Sequence, residues 1–140
     1  MTEQHPAAMA NQKSFAAVEA KDKNTWLSLF AEDAVVEDPV GISAIDPTGK
    51  GHRGKEAIST FWDMVIANGD LSFNVHKRIP RGSECAVLAS LSNRMPSGQE
   101  LVTEMIVIYR VNDAGKIISL RAFWDYDSLE QKVQDLMQQG

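Results

Sequence analysis

The stretch VVEDPVG, residues 35–41, sets two carboxylates, Glu37 and Asp38, at the end of an apolar run and against a proline. Strand alternation sends sequence neighbours to opposite faces, so the two acids need not share a role. Whichever points inward has apolar surroundings, and loss of solvation there raises a carboxylate's pKa toward the range useful to a general base. The other reading is that both acids sit at a solvated strand end. On pattern alone that second reading takes precedence, because EDP is a common way to finish a strand.

Other residue types with chemical potential are sparser. Trp62 and Trp124 each offer a flat wall for an apolar ligand, although a single tryptophan is more often core. Thr103, Met105, Val107 and Tyr109 alternate along one strand face, with Glu104 and Arg110 on the other. Such a face makes an almost purely apolar pocket lining or ordinary core packing. Glu104 reads as a cross-strand or subunit-interface charge. Ser14 is by default an exposed polar residue, and Asp125 and Asp127 suit the start of a last helix. Cys85 has no histidine or other base beside it in sequence, which argues against a nucleophile. His5, His52 and His76 are scattered, with no zinc-binding spacing, so no metal site is expected.

The elements that must hold these residues follow from periodicity. Residues 1–10 read as a frayed N-terminus, followed by a helix over Asn11–Ala20 with Phe15 and Val18 on one face. KDKN breaks it, and Asn24 is placed to cap a short helix carrying Trp26, Leu27, Leu29 and Phe30. A turn and a short strand ending at Pro39 come next, then a glycine-rich loop, GISAIDPTGKGHRG. Ile58, Phe61, Trp62 and Val65 mark a third helix, stopped by Asn68-Gly69. LSFNVHK, ECAVLASLSNRM, ELVTEMIVIYRVN and GKIISLRAFWDYD then read as strands joined by turn signals. Ser128 with Gln131 forms a capping-box pattern before an apolar stripe of Leu129, Val133, Leu136 and Met137. The order predicts a single α+β domain over residues 1–140: three N-terminal helices on the concave face of a conical, curved, antiparallel or mixed sheet, plus a short C-terminal helix. A pocket is expected inside the cone.

Composition narrows the function. The chain has 140 residues, 44% hydrophobic and 24% charged, with net charge −5 and one cysteine. That balance fits a soluble folded domain, and the lone cysteine fits a reducing cytoplasm. Nucleic acid is not an expected partner, because no basic face is available for phosphate. A membrane span is not expected either, since no apolar run approaches the required length. No basic stretch followed by an apolar core marks a signal peptide.

FAEDAVVEDPVG, the glycine-rich loop with GKEAISTFW, and YRVNDAGKIISLRAFWD together resemble the ketosteroid isomerase branch of the nuclear transport factor 2-like, or SnoaL-like, superfamily. The resemblance runs from about Ser14 to Leu129. It implies a conical α+β fold, a homodimer packed through the outer face of the sheet, no cofactor, and a steroid-like, flat apolar ligand. It also implies that Asp38 is the base that carries a proton from C4 to C6 of a 3-oxo-Δ5 steroid. Trp62 falls where the family has a pocket tyrosine, and Trp124 on a pocket tryptophan at the apolar floor. A base working with an oxyanion hole is the family's established logic and is carried over with it.

The chain departs from the family at the oxyanion hole. The first-helix tyrosine position is Ser14, and the protonated aspartic acid position on the long strand is Val107. Loss of one such donor typically costs about 10²–10³ in rate, so weakened isomerisation is expected unless Ser14, the Trp62 indole or Tyr109 substitutes. Three functions therefore stand: a steroid delta-isomerase-like enzyme, a non-catalytic steroid- or polyketide-binding protein, and a related cyclase or hydratase.

Overall fold

The computed structural model describes residues 4–139, and the side chains of all of these except 132, 133 and 136–139. Helix α1 spans Pro6–Glu19, α2 spans Lys23–Ser28 and α3 spans Gly54–Phe61, continuing into a π-helical turn over Trp62–Ile66. The strands are β1 (Phe30–Glu37), β2 (His52–Arg53), β3 (Leu71–Arg81), β4 (Glu84–Arg94), β5 (Glu100–Val111) and β6 (Ile117–Phe123), and α4 covers Tyr126–Gln139. They form one curved, unclosed sheet in the order β2-β1-β6-β5-β4-β3. The β1–β6 pair is parallel and the other pairs are antiparallel, so the sheet is mixed.

Helix α1 begins earlier than periodicity indicates. Pro6 occupies its first turn, where a missing N–H costs nothing, and His5 caps it by accepting from Ala7 N at 3.1 Å. Ala7 and Ala8 are completely buried, so residues 6–10 are packed helix rather than frayed chain. Their small side chains let α1 lie close against β3, β4 and β5. Residues 1–3 lie outside the described residues.

Three further boundaries differ from the sequence reading. Asp22, not Asn24, caps α2 by accepting from Thr25 N at 3.2 Å. Phe30 opens β1 rather than closing α2. Asp125 accepts from Ser128 N, so the last helix starts before the Ser128–Gln131 box. Of the apolar stripe expected on that helix, Leu129 is half-buried, and the side chains of Val133, Leu136 and Met137 lie outside the described residues.

Register decides what faces the helices. On β4 and β5, Cys85, Val87 and Ala89 stand opposite Tyr109, Val107 and Met105, all six buried on the inner face. Strand β3 follows the same alternation with Leu71, Phe73 and Val75, then carries a bulge between Val75 and Lys77. An extra residue reverses the phase of the alternation beyond it. Arg78 therefore turns inward opposite Val87, and Ile79 turns out, 55% exposed.

The loop between β1 and β2 is tied down by buried Asp46, which accepts from Gly49 N, Gly51 N and the Thr48 hydroxyl. Gly51 has φ +86, and a Cβ there would stand 2.7 Å from Val35 Cγ1 and 3.1 Å from Val36 O. Only glycine lets the loop return this closely to β1 and pair His52 with Val36.

Candidate functional site

The inner face of the sheet, α1, α3 and the start of α4 enclose a cavity of about 210 Å³. Its walls are overwhelmingly apolar. Phe15 of α1 stacks on Phe73 of β3 with ring centroids 3.7 Å apart. Phe61, Val65 and Ile66 close one side, and Met105, Val107 and Leu120 close another. Polar groups at the wall are few: Asp38, Ser14, Tyr109, Thr103 and Asn93.

The two acids of EDP part as alternation requires. Glu37 pairs with Arg121 on the outer side, Nε to Oε2 at 2.8 Å, across the β1–β6 register. Asp38 turns to the cavity, half-buried. Its Oδ1 accepts from the Trp124 indole Nε1 at 2.6 Å. Burial pushes the Asp38 carboxyl above its ordinary range, and the Trp124 hydrogen bond and nearby His52 offset this in part. The Asp38–Pro39 peptide is cis.

Ser14 is buried, contrary to the default for a polar helix residue, because it lies on the α1 face that packs on β5. Its Oγ lies 2.7 Å from the Tyr109 hydroxyl and accepts from the Trp26 indole at 3.0 Å. Tyr109 is almost fully enclosed, and desolvation holds its phenol far above the usual range, so it stays protonated. Behind it, buried Asn11 accepts from Arg78 Nε at 2.8 Å.

Of the residues singled out in the sequence, Asp38, Ser14, Met105, Val107 and Trp124 all meet the cavity. Trp62 does not. It is 3% exposed on the flank of α3, with its ring 5.2 Å from Trp26, and Phe61 and Trp26 reach the cavity instead. The helical face was visible in the spacing, but which of Phe61 and Trp62 would lie under α2 was not. Asn11 and Arg78 were missed altogether. Only the β3 bulge brings Arg78 to Asn11, and nothing in the alternating LSFNVHK pattern announces it.

A helix-lined, curved, unclosed sheet around one apolar cavity defines the nuclear transport factor 2-like class. Within that class the chain belongs to the SnoaL-like domain family, whose sequence profile matches residues 11–120. Among solved structures it is similar to RV0760c of Mycobacterium tuberculosis, at 37% identity and TM-score 0.84, covering 91% of this chain and 96% of that one. RV0760c is also known in complex with estradiol-17beta-hemisuccinate. A computationally designed 17-OHP binder is 35% identical, with TM-score 0.82 over 89% of this chain and 95% of the other. The Delta 5-3-ketosteroid isomerase of a Mycobacterium species is 36% identical, with TM-score 0.81 over 88% and 95%.

Proposed function

We propose that this protein catalyses cofactor-independent proton transfer next to a carbonyl on a steroid or similarly flat apolar substrate, with Asp38 as the base. The observation that carries this reading is the placement of Asp38: a desolvated carboxyl, oriented by one indole N–H, at the wall of a cavity lined mostly by hydrocarbon. Asp38 removes a proton from the carbon between the carbonyl and the double bond, leaving a dienolate, and returns it at the far end of the conjugated system. No oxidant, metal or second substrate is needed, because the proton and the electron pair both stay within the substrate. An apolar wall excludes water that would compete for that proton.

The partner in this reading is a second copy of the chain. Leu88, Ile106 and Phe123 lie in one row across β4, β5 and β6 on the outer face, 44%, 48% and 40% exposed. Val102 adds to the patch on β5. A contiguous apolar row on an open sheet face fits a homodimer contact. A single buried cysteine, Cys85, suits a reducing cytoplasm.

A second reading, a steroid-binding protein without turnover, is favoured by Val107, an apolar residue where the isomerase family keeps a protonated acid. The two are separated by incubating the protein with a 3-oxo-Δ5 steroid and following the conjugated enone in the ultraviolet. The isomerase reading expects product, and expects Asp38→Asn to abolish it while retaining steroid binding. Quenching of tryptophan fluorescence with no product supports the binding protein. Turnover unchanged in Asp38→Asn removes the base assignment.

A further inference from the structure

The Ser14–Tyr109 pair carries two hydroxyl hydrogens. Ser14 Oγ and Tyr109 OH share one hydrogen bond of 2.7 Å, so only one of their two hydroxyl hydrogens lies between them. The Trp26 indole, a donor only, already points at Ser14 Oγ and cannot take the other. Arg78, also a donor only, fixes the Asn11 amide with its oxygen toward the guanidinium. That turns Asn11 Nδ2, buried and without a hydrogen bond of its own, toward the tyrosine side. The cluster therefore holds more donors than acceptors, in a setting where an unsatisfied polar group is costly. Both hydroxyl residues line the cavity, across it from hydrocarbon walls.

We propose that the Ser14–Tyr109 hydroxyl pair is the carbonyl-docking donor of this cavity, built from residues different from the acid and tyrosine that are absent at Val107 and Ser14. The spare hydrogen calls for an acceptor from outside the protein, so the pair selects ligands that present a ketone, or the enolate formed from it, at this wall. Trp26 and the Asn11–Arg78 pair are positioning residues: Trp26 occupies a lone pair of Ser14 Oγ, and the Asn11 amide, held by Arg78, flanks the Tyr109 hydroxyl with a donor rather than an acceptor, so neither can receive the remaining hydrogen. Tyr109 stays un-ionised at working pH and so keeps its hydrogen. The proposal deepens the isomerase reading and rests on it for the choice of ketone, but its binding component stands independently of turnover.

The test uses the full-length protein and a Δ4-3-ketosteroid, the product-like ketone, with its carbonyl stretch read by infrared difference spectroscopy. A parallel titration compares that ketone with its 3-deoxy analogue by tryptophan quenching. The wild type should lower the stretch relative to the steroid in hydrocarbon solvent and prefer the ketone by about tenfold. Each of Ser14→Ala and Tyr109→Phe should change the shift, since one hydroxyl remains. The double variant should lose both shift and preference, and any turnover should fall about 10²-fold in kcat with little change in KM. If Tyr109→Phe fails to fold, as judged by circular dichroism, Ser14→Ala removes a single oxygen and keeps the assignment testable. An unshifted carbonyl in the wild type, or a shift that survives the double variant, overturns the proposal. A shift and preference in a protein that never turns the steroid over uphold the donor while the isomerase reading fails. Turnover with an unshifted carbonyl does the reverse.

Discussion

Replacing Asp38 by asparagine should make the protein more stable while removing its base. One carboxylate oxygen accepts from the Trp124 indole, and the carboxyl lies at the cavity wall with His52 nearby. Desolvating a polar or charged group without a full set of partners costs about 1–3 kcal/mol, and the half-open position of this carboxyl places it at the lower end, ~1–2 kcal/mol. Asparagine keeps an oxygen for Trp124 and carries no charge to desolvate. The folded-state pKa of Asp38 lies above the value near 3.8 expected of an unfolded chain. Between the two values the folded state binds more protons, so wild-type stability declines as pH rises through that window. The variant has no such titration. Its advantage should therefore be absent below the unfolded pKa, grow as pH rises, and level off once the folded carboxyl is ionised. At about 3 °C per kcal/mol for a chain of this size, the plateau is about 3–6 °C in Tm. Scanning calorimetry from pH 3 to pH 8 measures it. The chain is already net negative, so exposed Asp33→Asn serves as the control for simple charge removal. A plateau no larger than the control's, or an advantage that does not vary with pH, would refute the claim that this carboxyl is desolvated.

Trp124→Phe removes the hydrogen bond that pulls the Asp38 pKa down, so the acid limb of the kcat/KM profile should move to higher pH. A hydrogen bond to a charged group contributes about 1.5–3 kcal/mol, which predicts at least about tenfold lower activity on that limb. An unchanged profile would show that the indole bond does not act on the base. On the outer face, Ile106→Arg puts a charge at the centre of the Leu88–Ile106–Phe123 row. Light scattering should then report a species of 15.5 kDa in place of one about twice that mass. A variant whose mass equals the wild type's places the dimer contact elsewhere.

Much of this architecture is written locally. The spacing of Ile58, Phe61 and Val65, the alternation of Thr103, Met105, Val107 and Tyr109, and the turn residues between strands are short-range patterns. They determine helix, strand and inward face without reference to the rest of the chain. Opposite faces for Glu37 and Asp38 follow from the same rule, and the structure bears that out. The start of α1 escaped because alanines carry little periodic signal, even though close packing on the sheet buries them completely.

What the sequence could not determine is which distant groups meet. Asp38 finds Trp124 86 residues away, and Ser14 finds Tyr109 95 residues away. Those meetings depend on strand order and register, and the meeting of Arg78 with Asn11 depends on the bulge in β3 that reverses Arg78 and Ile79. A bulge or a register is selected by the summed packing of the whole inner face, and no local residue pattern carries that sum. The sequence by itself determined that two acids stand at the end of β1 on opposite faces. The tertiary structure decided that an indole orients one of them, Asp38, and that a hydrogen-bonded serine and tyrosine share its cavity.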